Sequence, residues 1–144
     1  MSIVNINRLI FTLSLIGLAV TAFLAFEYMQ AGPMVCPVTG TGCELVRKSE
    51  FSKLLGVDLP IFGIAFYLMT AFVSVWLTQN YHQKISLLRL AASFSAFAFG
   101  VYLTFLEAFV IKAYCIWCVA SFIVSIMILC LCVLDFFKIK KENE

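Results

Sequence analysis

Residues 113–134, A-Y-C-I-W-C-V-A-S-F-I-V-S-I-M-I-L-C-L-C-V-L, form an uncharged run bounded by Lys112 and Asp135. The run is long and apolar enough to cross a bilayer as a helix, and it opens on a C-x-x-C, Cys115-Ile-Trp-Cys118. A soluble redox protein does not carry 63% hydrophobic and only 12% charged residues, and a passive anchor has no use for two cysteines at that spacing. The combination points to thiol–disulfide chemistry at a membrane surface.

Three more uncharged runs precede this one: Leu9–Phe26, Leu59–Tyr81 and Leu90–Leu106. At about 1.5 Å of rise per residue the shortest gives roughly 26 Å, so it needs flanking residues to cross a hydrocarbon core of about 30 Å. Phe109, Val110 and Ile111 can supply them. The expected fold is all-α, a polytopic four-helix membrane bundle forming one domain over residues 1–144. Its helices fall near 9–28, 59–80, 88–110 and 114–136, with an external loop at 29–58. The first run exceeds the usual apolar length of a signal peptide before any convincing cleavage site, so a retained helix is expected.

Orientation follows from the Lys and Arg at the helix ends. Arg8, Lys84, Arg89, Lys138, Lys140 and Lys141 lie on one side, against Arg47, Lys48, Lys53 and Lys112 on the other. The excess places both termini in the cytoplasm. The first connection, carrying Cys36 and Cys43 in C-P-V-T-G-T-G-C, then shares the opposite face with Cys115 and Cys118, where disulfides form and persist. Beyond Cys43, Phe51, Leu54 and Leu55 fall at i, i+3 and i+4 with Arg47, Lys48 and Glu50 available for water. That spacing reads as a short amphipathic helix on the membrane or as a solvated loop.

Each cysteine pair has its own physics. Cys115 and Cys118 share one face of a first helical turn, and the helix N-terminus favours a thiolate at Cys115, a good leaving group in exchange. Cys36 and Cys43 enclose a loop of Gly, Thr and Pro that suits either a mobile shuttle or a bridge tying the loop down. A four-cysteine zinc site fits the six-residue gap poorly, so no metal is expected. Covalent haem attachment needs His after the second cysteine, and residue 119 is Val. Cys130 and Cys132 lie about 18–21 Å below Cys118 by helical rise and read as packing.

With these residues in hand, the chain resembles the vitamin K epoxide reductase family in its bacterial, single-domain form. The likeness runs from about Phe26 to Phe122 through C-P-V-T-G-T-G-C-E-L-V-R-K-S, G-V-D-L-P-I-F-G-I-A-F-Y and Y-L-T-F-L-E-A-F-V-I-K-A-Y-C-I-W-C. The order of the pairs matters, since quinone-linked oxidases of the DsbB type place the C-x-x-C in the first external loop. The resemblance implies a four-helix bundle holding a quinone beside the C-x-x-C. Cys36 would receive electrons from a partner thiol, Cys43 would attack Cys115, and Cys118 would face the quinone. Ser49 matches a family serine near the active disulfide, and also reads as a surface residue of the loop.

The expected quinone pocket draws on Phe62 and Tyr67 from the second helix, Tyr102 and Phe105 from the third and Phe122 from the fourth, each also readable as packing. The family's animal enzymes carry Tyr where this chain has Phe122, and Asn just before the I-F-G segment, where Asp58, Leu59 and Pro60 stand here. These departures favour a respiratory quinone, ubiquinone or menaquinone, as two-electron acceptor over reduction of a quinone epoxide, the alternative activity. A non-enzymatic scaffold held by two disulfides is the other alternative. Many bacterial relatives carry a fused thioredoxin-like donor; with the sequence ending at Glu144, the expected donor is a separate periplasmic thioredoxin-fold protein of DsbA type. Such donors have potentials of roughly −120 mV and need a still more oxidising sink. The expected setting is the bacterial inner membrane, with lipid as a partner and no nucleic acid. Glu107 and Glu27 near the outer helix ends read either as proton relays to a reduced quinone or as interfacial carboxylates. Ser121 and Ser125 read as small residues that let helices approach.

Overall fold

Inside hydrocarbon the backbone has no partner but itself, so each uncharged run closes into a helix. The computed structural model describes residues 2–142 with the exception of 31, 35 and 39. In chain order it contains α1 (Ile3–Met29), α2 (Gly42–Lys48), a 3₁₀ turn (Glu50–Ser52), β1 (Lys53–Leu54), β2 (Val57–Asp58), α3 (Leu59–Gln79), α4 (Gln83–Phe105) and α5 (Ile116–Glu142). A π-helical turn, Leu106–Ile111, prolongs α4 and gives the shortest run its missing length. Helices α1, α3, α4 with its π-turn, and α5 are all long and apolar enough to span a membrane, so the protein is an all-α polytopic membrane protein.

The bundle is arranged for lipid outside and small polar groups inside. Phe72, Leu88, Phe94, Phe109 and Phe137 are 61–68% exposed, while Ser14, Thr70, Ser74 and Ser93 are fully buried. Most of these hydroxyls satisfy themselves by donating one turn back, as Ser14 does to the Ile10 carbonyl at 2.7 Å and Ser74 to that of Thr70 at 2.8 Å. Small side chains allow close helix approach where lipid removes the hydrophobic drive for association. Helix α1 packs along α3 and α5, and α4 packs on α5, whereas α3 and α4 touch sparingly despite being consecutive.

At the end of the bundle away from the C-x-x-C, one polar cluster joins all four spanning helices. Arg89 Nη2 on α4 meets Asp135 Oδ2 on α5 at 2.9 Å, and Arg89 Nη1 donates to Asn7 Oδ1 on α1 at 2.7 Å and to Ser74 Oγ on α3 at 3.2 Å. Ser86 Oγ donates to the same Asp135 oxygen at 2.7 Å. The orientation count treated Arg89 as a loop charge; it is instead 2% exposed and neutralised by a fully buried partner. A guanidinium buried within a membrane-spanning helix persists only when paired. Cys132 is buried as expected, but Cys130 is exposed, because residues two apart on a helix face different directions.

The first connection departs from its expected form. Its helix is α2, ending at Lys48, and Phe51, Leu54 and Leu55 do not lie on it. The reason is Leu55-Gly56: both residues have positive φ, 54° and 81°, the geometry of a type I′ turn. The turn closes a two-residue hairpin pairing Lys53 with Asp58 and Leu54 with Val57. The helical spacing of the three apolar residues is therefore coincidental. Pro60, in the first turn of α3, fixes where the next helix begins.

Candidate active site

Cys115 sits at the N-cap of α5. Its carbonyl accepts the Val119 N–H at 3.0 Å, and its sulfur accepts the Cys118 N–H at 3.3 Å. The two sulfurs stand 2.7 Å apart as free thiols. Donation from the Cys118 thiol, aided by the N–H groups of Cys118 and Trp117, holds the Cys115 thiol below the usual thiol range, although burial and the Glu107 charge oppose it. This is the thiolate-favouring helix start expected from the spacing. Trp117 anchors the motif to α1 through Phe23, with ring centroids 4.9 Å apart.

Cys36 and Cys43 are joined as a disulfide and are 2% and 1% exposed. They belong to the same buried cluster as Cys115, with Leu24, Met34 and Val46, and Cys118 packs against its edge. All four cysteines therefore meet at one end of the bundle. The loop that carries the outer pair is braced. Cys36 and Gly40 exchange two backbone hydrogen bonds of 2.8 and 3.1 Å, and Glu44 accepts the Met34 N–H at 3.0 Å.

Arg47 completes the brace, donating to the carbonyls of Glu27, Gln30 and Gly32 at 2.9–3.2 Å and pairing with Glu44 at 2.8 Å. Sequence reasoning assigned Arg47 to water. The spacing of Glu44, Arg47 and Lys48 at i, i+3 and i+4 was the signal for a clasp. Lys48, the Met34 N–H and Arg47 together hold the Glu44 carboxyl down at about 2.

Beneath the C-x-x-C lies a cavity of about 430 Å³, lined by residues of α1, α3, α4 and α5. Cys118 lines it and Cys115 does not. Of the expected pocket residues, Phe62, Tyr67, Phe122 and Ser49 line it, but Tyr102 and Phe105 do not. Tyr102 and Phe105 are 51% and 55% exposed on the outer face of α4. The ring face of α4 that does reach inward belongs to Phe99, one helical turn before Leu103. Phe66, Phe99 and Tyr28 were missed because aromatics are too common in this chain for any one to stand out.

Tyr67 is nearly fully buried and donates to the Ser121 carbonyl at 2.7 Å. Phe122 lies against Gly100 so closely that a Cβ there would enter its ring, which is why the position is glycine. Glu107, expected either at the interface or as a relay, is 4% exposed and lines the cavity, whereas Glu27 is half-buried outside it.

The sequence profile of the Vitamin K epoxide reductase family matches residues 8–133. The chain belongs to this family. No curated protein matches it. Membership in the vitamin K epoxide reductase family makes the protein an oxidoreductase of quinone-linked disulfide chemistry, and the site fits a quinone. A volume of about 430 Å³ lies within the range of small-ligand sites. Several wall hydroxyls, those of Thr21, Ser49, Thr104 and Ser125, donate to carbonyls of their own segments. That leaves a largely aromatic and aliphatic lining around one sulfur and one carboxyl.

Proposed function

We propose that the protein is a thiol:quinone oxidoreductase that oxidises a separate thioredoxin-fold protein of DsbA type, with ubiquinone or menaquinone as acceptor. The observation that carries this reading is the split environment at the head of α5. Cys115 packs with Cys36 and Cys43, while Cys118 lines the cavity. In this reading a partner thiolate attacks Cys36 of the outer bridge and frees Cys43; the partner's second thiol then resolves the mixed disulfide. Cys43 attacks Cys115 of the inner disulfide and releases Cys118, which takes up a proton and faces the cavity as a thiol. Cys36 then attacks Cys43, restoring the outer bridge and freeing Cys115. Since Cys36 is 2% exposed, the partner's attack requires the braced loop to lift.

A quinone supplies the two-electron, two-proton sink that reoxidises the inner pair. Phe62 and Phe122 offer it ring faces, Tyr67 is held in place by Ser121, and Ser49 closes the outer end. The absence of a Tyr at 122 and of an Asn before Ile61 supports electron acceptance by a respiratory quinone over epoxide reduction. The thiols are assigned to the periplasmic face of a bacterial inner membrane, with both termini cytoplasmic. The disulfide supports that side, as does the Lys/Arg excess, which stands at five against four once Arg89 is counted inside the bundle.

The purified protein should reduce a short-chain ubiquinone analogue when supplied with a reduced thioredoxin-fold dithiol donor, read from the quinone absorbance. Cys118→Ser should abolish turnover. An undiminished rate in that variant, or turnover of a quinone epoxide in preference to quinone reduction, overturns the proposal.

A further inference from the structure

Glu107 is a carboxyl placed where a carboxyl is costly. It is 4% exposed within a membrane-spanning helix, and no Lys or Arg pairs with it among the described residues. Irregular backbone presents it. The π-turn Leu106–Ile111 begins one residue before it, the Ala113 N–H returns to its carbonyl at 3.1 Å, and Lys112 adopts a left-handed φ of 54° to end the turn. Such turns shift a helical face by inserting one residue and recur at functional sites. Here the shift carries the carboxyl toward the C-x-x-C: Glu107 Oε2 accepts the Cys115 N–H at 3.4 Å, and the residue shares the cavity wall with Cys118.

Transfer of electrons from Cys118 into the cavity also requires proton transfer, in a site whose lining is largely apolar. The titratable groups of the cavity wall are Tyr28, Tyr67, Glu107 and Cys118. Tyr67 is committed to the Ser121 carbonyl. Tyr28, on α1, shares the cavity wall with Cys118 and Glu107 and packs against the cluster that holds Cys115. Glu107 is the carboxyl among these groups, and it lines the cavity together with Cys118.

Resting on the thiol:quinone reading, we infer that Glu107 is the catalytic base and acid of the inner step. It takes the proton from Cys118 Sγ as that sulfur gives up its electrons, and passes the proton to the quinone oxygen. The balance closes as follows. The Cys118 S–H bond breaks, the Cys115 thiolate and Cys118 sulfur form the S–S bond, and two electrons reduce the quinone to hydroquinone. One of the two hydroquinone protons comes through Glu107; the other comes from water on the outer face, where Cys115 lost its own on ionising.

The test uses the full chain in lipid nanodiscs, with a reduced thioredoxin-fold donor and a short-chain ubiquinone analogue. Glu107→Gln, nearly isosteric, should lower kcat on the order of 100-fold with little change in quinone KM, and should remove the limb of the pH–rate profile that reports the carboxyl. Glu107→Asp should keep that limb at a reduced rate. In a Cys36→Ser background, Glu107→Gln should still form the Cys43–Cys115 bridge, because that step precedes the proton transfer. Wild-type kcat and an unchanged profile in Glu107→Gln overturn the inference. Failure of the wild type itself to reduce the quinone overturns instead the reading on which it rests. Should Glu107→Gln not fold, infrared difference spectra of wild-type oxidation should show a protonated-carboxyl band that shifts on ¹³C-glutamate labelling, and its absence overturns the inference.

Discussion

Asp135→Ala should be among the most damaging single changes far from the cysteines. Its Oδ2 lies 2.9 Å from Arg89 Nη2, and both side chains are essentially inaccessible. At an effective dielectric near 20, two unit charges at that distance attract by about 6 kcal/mol. Arg89 would keep Asn7 and Ser74 as acceptors, which returns part of that loss. The expected net destabilisation is about 3–5 kcal/mol, the range for stranding one member of a buried pair. The cluster is also imperfect, since Asn7 Nδ2, Arg89 Nε and Asp135 Oδ1 have no hydrogen-bond partner among the described residues. Removing both charges, as in Arg89→Met with Asp135→Leu, should therefore recover stability to within about 2 kcal/mol of wild type. Reversible unfolding in mixed detergent micelles, followed by Trp76 and Trp117 fluorescence, measures all three. A wild-type midpoint for Asp135→Ala, or a double variant worse than the single one, would refute the reasoning.

Three further outcomes follow from the outer end. Cys36→Ser, treated with reduced donor and mapped without reductant, should accumulate a Cys43–Cys115 bridge; finding only Cys115–Cys118 in every sample counts against the relay. Arg47→Ala removes hydrogen bonds to three carbonyls and the pair with Glu44. At about 1 kcal/mol net per bond, it should speed reduction of Cys36–Cys43 by dithiothreitol at least tenfold, and an unchanged rate would show that the clasp does not guard the bridge. Because the folded Glu44 carboxyl is held below its ordinary value, its stabilisation is complete above about 4.5 and is lost as pH falls through about 2. Loop protection measured by hydrogen exchange should follow that window, and loss near pH 6 would contradict it.

The spans and the two cysteine pairs were legible because hydrocarbon enforces a simple code of uncharged length, and because a thiol pair has few structural uses at C-x-x-C spacing. What escaped was decided by tertiary contact. Arg89 looks like a loop cation because its partner Asp135 is 46 residues away in sequence, and nothing local announces the pairing. Tyr102 and Phe99 are three apart on one helix, yet one faces lipid and the other the cavity. The run of aromatics around them blurs the helical period that would have separated them. The hairpin at Leu55-Gly56 was readable in principle from its glycine, but the apolar spacing around it imitated a helix. Glu107 lay at the edge of a run, and only the π-turn turns it inward.

These particulars bear on how one short motif can serve two partners. An ordinary helix start would give Cys115 and Cys118 similar surroundings, since three residues bring them back to the same face. Here α2 and the outer disulfide cover the N-cap sulfur, while the cavity leaves space beneath the other. The N-cap position supplies Cys115 with donors that favour its thiolate. Cys118, one turn deeper, has the cavity and Glu107 as neighbours. On the proposed thiol:quinone reading, burial on two sides of a single helical turn would direct electron flow, with exchange at the outer sulfur and the acceptor meeting the inner one.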